Sequence, residues 1–382
     1  MPDSYAPVLS VDLGAMLANY NLLCRRALPA ICGAVVKADA YGLGAAMIAP
    51  HLKRAGCAHF FVATVDEGLA LRRVLLPGVK IYLLDGLPPG AENDIAAAEL
   101  IPILNTLAEI ERWRSFQRGP GAKAAALRQA GLHFDTGLNR LGLDRRATLD
   151  LIGDPHLLDG CNIGLVMSHL ACADDPEHPM NRTQLQAFRE IAANLRLPPR
   201  LDGGGRPLLS LAASSGIFLP SDYHFDLARP GVALYGVSPV LGAENPLAPV
   251  LRLQAKILQL RDVDLDMTVG YGASHQVRGP TCLATIGVGY ADGIFRSLGN
   301  RGAVFVAGQR APIVGRISMD LMTIDVGHMP RQAVQPGTLV DLIGPAAPRG
   351  QSIDDLATAS GTIGYEILTN LGPRFQRRYS GG

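Results

Sequence analysis

Aromatic residues are scarce in this chain, making up 5% of it with a single Trp. An excess of charge of either sign is missing too: 35 Lys+Arg stand against 34 Asp+Glu in 382 residues. A near-neutral sum gives no sequence-wide basic field, which argues against a nucleic acid or an anionic membrane as partner. No apolar run reaches the roughly 18 residues of a membrane span, so no transmembrane helix is expected. The opening MPDSYAPVLS has no basic stretch followed by an apolar core and does not read as a secretory signal. Six cysteines (Cys24, Cys32, Cys57, Cys161, Cys172 and Cys282) form no CxxC pair. That leaves no zinc knuckle and no redox motif, and it suits buried reduced thiols. No GxxxxGK[ST] occurs, and no GxGxxG stands in a strand–turn–helix context. The absences together describe a soluble cytoplasmic protein without a metal site.

What is present is a large supply of core. Hydrophobic residues reach 48% and charged residues only 18%, wrong for a disordered chain. The length suggests two domains. Through the first two-thirds, eight short apolar runs end in polar residues or Gly: GAVVK (33–37), FFVAT (60–64), IYLLD (81–85), IPILN (101–105), LHFDT (132–136), IGLVMSH (163–169), LLSLAAS (208–214) and FDLARPG (225–231). Most do not alternate, as expected of parallel strands buried on both faces. Helical patterns such as VDEGLALRRVL and NRTQLQAFREIAANLRL lie between several of them, and VDLGAMLANYNLLCRRA precedes the first. Strands and helices alternating in this way predict an α/β fold, an N-terminal (β/α)8 TIM-type barrel over residues 1–240. After a Pro- and Gly-rich boundary (238–249), strand-like segments follow one another without long helical patterns. They predict a mostly β C-terminal domain over 241–382. One late helix is expected at SIDDLATAS, where Ser352 and Asp355 have capping-box spacing.

Barrels carry their reactive groups at the carboxyl ends of the strands. Applied to the eight runs, that rule selects Lys37, Asp85, Asn105, Asp135, His169, Ser214 or Ser215, and Arg229. Lys37 leaves a buried strand into a Gly-rich loop, where partial desolvation favours a nucleophilic amine able to form a Schiff base with a carbonyl or with pyridoxal phosphate. On position alone, a lysine snorkelling to solvent is the commoner reading. The Ser-Ser-Gly at 214–216 and the backbone at Gly231–Val232 follow the seventh and eighth runs, the usual place of a phosphate cradle in barrels. Taken alone, that motif is equally an ordinary loop. The glycines at 203–205 precede a strand and read as a turn.

Nine stretches then carry a resemblance: AVVKADAYGLGA (34–45), FDTGLNRLGL (134–143), MSHLACAD (167–174), AASSG (212–216), ARPGVALYG (228–236), VGYGASH (269–275), VGYADG (288–293), GRISMDLM (315–322) and TIGYEI (362–367). In this order they resemble the pyridoxal-phosphate-dependent alanine racemases of barrel-plus-β-domain type, from about residue 8 to residue 379. The resemblance implies an isomerase that interconverts L- and D-alanine, supplying D-alanine for cell-wall peptidoglycan or catabolising it. It makes Lys37 the lysine that carries pyridoxal 5′-phosphate. Tyr41, Ser215, Tyr365 and the backbone of Gly231 and Val232 would hold the phosphate. Arg229 would face the pyridine nitrogen. A guanidinium keeps its proton, so that nitrogen stays unprotonated and the ring is a weaker electron sink, which disfavours transamination. His169 would link Arg229 to a catalytic tyrosine. Racemisation needs one base on each face of the α-carbon; the resemblance names Lys37 and Tyr271. A free phenol titrates at about 10, so nearby cations must make Tyr271 a base. Tyr271 and Met319 would come from the partner in a head-to-tail homodimer with shared sites. Arg140 would bind the substrate carboxylate. Tyr290, Asp174, Arg296, Arg316 and Ile363 would line the substrate entrance.

Two positions depart from the pattern. His133 stands where many members carry a lysine carbamylated by carbon dioxide, and Ser318 where cysteine is common. The rival readings are a broader-specificity or serine-preferring racemase, a related decarboxylase, and a non-enzymatic carrier of the cofactor. Arg229 argues against the decarboxylase, which places an acid at the pyridine nitrogen. Tyr271 and the β domain argue against the carrier.

Overall fold

The computed structural model describes residues 6–75, 77–119, 128–199, 205–344 and 350–381. Of the glycines at 203–205, the first two lie outside the described residues. Seven parallel strands follow in chain order around one curled sheet: Ala34–Val35, His59–Val62, Lys80–Leu83, Leu100–Leu104, Gln129–His133, Asn162–Met167 and Leu208–Ser210. An eighth, Leu227–Ala228, runs parallel to Ile31–Cys32. Its flanks bond both open edges. Gly33 N donates to Ala228 O (2.9 Å) and Val35 N to Pro230 O (2.8 Å). On the other side Asp226 N donates to Leu209 O (3.0 Å) and Arg229 N to Ala212 O (2.9 Å). The ring closes, as the eight apolar runs predict.

The strands read as continuous apolar runs because both faces are covered. Phe60, Phe61, Ile81, Ile103, Leu132 and Leu165 are fully buried. Three of the outer helices open on a side-chain cap, with Thr64, Thr106 and Asp144 accepting from the N–H of Glu67, Glu109 and Ala147. These caps start each helix close to a strand end and fix the loops between. The fifth strand begins three residues earlier than its apolar run, at Gln129. Ala130 and Gly131 are too small to register as apolar, yet a Cβ on Gly131 would lie 2.5 Å from Ile103 Cδ1. A side chain there would push the end of Ile103 aside.

Past residue 250 the architecture changes to antiparallel β. Leu251–Val263 is the hub, pairing with Val8–Asp12, Thr281–Ile286 and Leu339–Ile343. Its first residues alternate buried and exposed, the period of a strand with one wet face. Ala303–Val306, Gln309–Pro312 and Met322–Asp325 extend the sheet. Val8–Asp12 belongs to this sheet although it precedes the barrel in the chain, and Gln376–Ser380 lies parallel to it. The two ends of the chain are thus neighbours. The helix Ile353–Ser360 forms with the expected capping box, Ser352 Oγ accepting from Asp355 N at 3.1 Å and Asp355 Oδ2 from Ser352 N at 2.8 Å. A further helix, Gly364–Thr369, is too short to show a 3.6-residue period and carries Tyr365. Among the described residues, no helix is long and apolar enough to cross a membrane.

Candidate active site

Lys37 follows the first barrel strand and is half-buried. The next four residues, Ala38, Asp39, Ala40 and Tyr41, all take left-handed conformations, with φ between 51° and 56°. None is glycine, and such a conformation costs roughly 1–2 kcal/mol per residue. This strained turn brings Tyr41 under the barrel mouth. Its ring sits 5.0 Å from that of Tyr235 and 6.1 Å from that of Tyr365, centroid to centroid. A Cβ on Gly231 would lie 2.3 Å from Tyr41 Oη, so only glycine lets that hydroxyl approach the backbone after the eighth strand. Gly231 N donates to Ser214 Oγ at 2.9 Å, and Ala233 N to the same oxygen at 3.2 Å. Gly231 therefore contributes closeness, while its own N–H is engaged. Val232 and Ser215 each open a short 3-10 turn, where the first N–H has no acceptor within the turn.

Arg229 is 2% exposed, and none of its hydrogen-bond partners is a carboxylate. It donates to Ser210 Oγ, to Ser168 O (2.7 Å) and to Leu211 O (3.4 Å), and its Nη2 lies 3.5 Å from His169 Nδ1. Burial pulls this guanidinium down to about 9, still cationic at neutral pH. Burial, then Arg229 and Arg140, pulls the His169 imidazole down to about 3. Burial and Arg229 likewise pull His133 down to about 4, so both rings are neutral. His133 Nδ1 lies 2.8 Å from Asn105 Oδ1, and Asn105 Nδ2 donates to Ile103 O at 2.9 Å. With the amide oriented by that carbonyl, Oδ1 accepts and Nδ1 of His133 carries the proton. The place of a charged group is taken by a neutral imidazole whose Nε2 is an acceptor.

Arg140 sits on the loop after the fifth strand. Asp135 Oδ1 accepts from the N–H groups of Gly137 (2.9 Å), Leu138 (2.9 Å) and Asn139 (3.1 Å) and so shapes that loop. Asp174 lies near Tyr365; after burial, its charge pushes the phenol up to about 12. Ile363, 62% exposed, opens the helix that carries Tyr365. The remaining residues stand on the β domain. Tyr290 N donates to Ser318 O (3.1 Å) and Ala291 N to Met319 O (2.9 Å), tying two loops together. Arg296 and Arg316 line a 330 Å³ cavity with Ser274, Asn300 and Arg301. Tyr271 is 71% exposed and Met319 53% exposed. Within one chain Tyr271 makes no hydrogen bond or ring contact with Lys37, His169 or Arg229 among the described residues. Sequence reasoning missed Ser168, Ser210 and Gln184. Gln184 is fully buried, donates to His169 O at 2.9 Å and accepts from Ala171 N at 2.8 Å. A lone polar residue on a helix gives no sign of such a task.

The fold and these groups define a class: a two-part enzyme in which a strand-end lysine, a buried arginine and small-residue turns share the carboxyl end of a barrel. Comparison with known proteins gives the family. Residues 11–239 match the alanine racemase N-terminal domain and residues 250–379 the alanine racemase C-terminal domain. The alanine racemase of Rhodospirillum rubrum is 46% identical over 380 residues, covering 99% of this chain and 97% of its own. A catabolic alanine racemase of Mesorhizobium japonicum is 46% identical over 375 residues, covering 98% of this chain and 93% of its own. Among solved structures, the alanine racemase of Bartonella henselae with covalently bound pyridoxal phosphate superposes with a TM-score of 0.90 at 42% identity, covering 99% of this chain and 100% of that one. The chain belongs to the alanine racemase family.

The residues present fit such a cofactor. Arg229 is a buried cation without a carboxylate, suited to a neutral ring nitrogen that accepts. Tyr41 Oη comes close to Gly231, next to the Ser215 and Val232 turns whose first N–H groups have no acceptor within the turn, and donors of this kind suit an anion.

Proposed function

We propose that the protein is an alanine racemase that interconverts L- and D-alanine with pyridoxal 5′-phosphate. The observation that carries this reading is the joint placement of Lys37, Tyr41 and the carboxylate-free Arg229 at one barrel mouth in a chain of this family. Pyridoxal phosphate, when bound, supplies the electron sink that acidifies the substrate α-carbon. Lys37 carries it, and its amine takes or delivers the proton on the face presented by D-alanine. Tyr271 of the partner subunit serves the L-alanine face. Tyr41, Ser215, Val232 and Tyr365 hold the phosphate, with Gly231 giving room. Arg229 would face the ring nitrogen as a donor that keeps its own proton, leaving that nitrogen unprotonated, and His169 would bridge Arg229 towards Tyr271 of the partner subunit.

Arg140 and the backbone N–H of Met319 of the partner subunit hold the substrate carboxylate. Tyr290, Asp174, Arg296, Arg316 and Ile363 line the entrance and favour a methyl-sized side chain. Residues 1–240 supply most of the cofactor contacts, with Tyr365 added from the C-terminal domain, and residues 241–382 deliver the second base to a neighbouring copy. In the proposed homodimer the partner would cover Tyr271, Met319 and Ile363, which stand 71%, 53% and 62% exposed in one chain. Chiral product analysis with L- and D-alanine, serine and lysine tests the reading. Alanine is expected to racemise fastest in both directions; a cofactor-loaded enzyme that leaves alanine unchanged would overturn it.

A further inference from the structure

The left-handed turn after Lys37 is held at several points. Asp39 Oδ1 accepts from Ala45 N at 2.7 Å. From the last β strand, Arg377 Nη2 donates to Gly42 O (2.9 Å) and Tyr379 Oη to Leu43 O (2.8 Å). All of these act at or beyond Asp39. At the Lys37 end, beside the backbone bond from Ala40 N to Val36 O (2.9 Å), the side chain that bonds the turn among the described residues is Glu67: its Oε1 accepts from Ala38 N at 2.8 Å, and its Oε2 accepts from Ala63 N at 2.7 Å.

This use of Glu67 departs from ordinary capping. Glu67 occupies the third position of a helix capped by Thr64, the place from which a capping-box glutamate reaches back to the cap residue's own N–H. Here the carboxylate passes that N–H and bonds the residue before it with one oxygen. With the other it crosses to the neighbouring loop. The crossing bond falls on the peptide unit that Lys37 shares with Ala38. Fixing that N–H fixes the plane of the Lys37 carbonyl, and with it ψ of Lys37 and the direction from which the lysine side chain leaves the barrel.

We infer that Glu67 is a positioning residue for the reactive lysine, a carboxylate clamp that aims Lys37 by holding the Ala38 N–H against the end of the second strand. The inference rests on the racemase reading for the lysine's task. Only a carboxylate serves both donors, since it accepts at both oxygens. Glutamine would accept from one N–H and present its own NH2 to the other. A misplacement of about 1 Å costs about 10²-fold in rate when the reacting groups must meet in line.

The test is Glu67→Gln, measured in three ways. In the holoenzyme, kcat for alanine is expected to fall about 10²-fold with KM within about threefold, because the substrate contacts are elsewhere. In the cofactor-free protein, amide hydrogen exchange is expected to quicken at Ala38–Tyr41 and Ala63 while the other barrel strands keep their protection. The unfolding temperature separates local from global loosening. Quickened exchange with wild-type kcat would overturn the inference, and so would exchange that quickens throughout the barrel. Should Glu67→Gln not fold, Glu67→Asp carries the same test, being too short to reach both donors. Wild-type enzyme run alongside reports on the racemase reading: inactivity of the wild type sinks that reading, and a Glu67→Gln enzyme as fast as an active wild type sinks this inference alone.

Discussion

At the scale of single residues, the site depends on keeping most groups uncharged and placing a few charges carefully. Arg229 is the buried cation, and its neutral neighbours His169 and His133 are depressed by the same burial and the same arginine. His59 is also pulled down to about 4, by burial and then by Lys80. A consequence for stability follows. The unfolded chain takes up these protons near the ordinary 6.5, whereas the folded chain takes them up only near 4 or below. Stability is therefore complete above about pH 6.5 and declines as the pH falls from there. Between pH 6.5 and 5, ahead of most carboxylates, each histidine removes up to about 2 kcal/mol. Urea unfolding at pH 7.5, 6 and 5 checks this; a midpoint unchanged across that range would contradict it. A second prediction concerns Tyr271→Phe, which removes the phenol alone. We expect α-proton exchange from L-alanine to fall by about 10²–10⁴-fold and exchange from D-alanine to fall less. Solvent deuterium incorporation reads both, and equal losses would argue for a single base. Lys37, Arg229 and His169 stand just past strand ends, the positions that the barrel rule selects from the sequence. Asn105 was legible as a position, but its partnership with His133 depends on a register between two strands that no linear spacing encodes.

At the scale of elements, the sequence speaks clearly where a run is apolar on both faces and poorly where it is short or small. Each barrel strand overlaps an apolar run, the fifth only at Leu132 and His133, and the hub strand Leu251–Val263 follows the LRLQAKILQLRDV pattern. Val8–Asp12 escaped because five residues beside a helix carry no independent signal, and its partners lie 240 or more positions away. The turn at 38–41 escaped for another reason. Alanine has no preference for left-handed backbone, so tertiary bonds from Glu67, Arg377 and Tyr379 impose what local propensity opposes. Local rules do hold for the helix Ile353–Ser360. Removing its cap with Ser352→Ala should cost about 1 kcal/mol of stability in urea titration and leave racemisation unchanged. A loss under 0.3 kcal/mol (roughly the scatter of surface substitutions) would mean the cap is not holding that helix.

At the scale of the whole molecule, the proposed site takes all its groups from one chain except Tyr271 and the Met319 N–H, which a second copy supplies. Lys37 and Arg229 sit at the barrel mouth, while Tyr271 stands exposed on the β domain. The last strand of the C-terminal domain braces the lysine loop of its own barrel through Arg377 and Tyr379, and in the proposed dimer Tyr271 would serve a neighbouring barrel. The central claim is that two copies complete each other's site. Subunit mixing tests it most directly. Lys37→Ala and Tyr271→Phe proteins are prepared separately, each nearly inactive, then mixed, dissociated and allowed to reassociate before alanine racemisation is measured. In a mixed dimer one site regains both wild-type bases and the other has neither. Random mixing makes half the dimers mixed, so the account predicts recovery of about one quarter of wild-type activity. Mixtures that remain as inactive as the separate variants would contradict it.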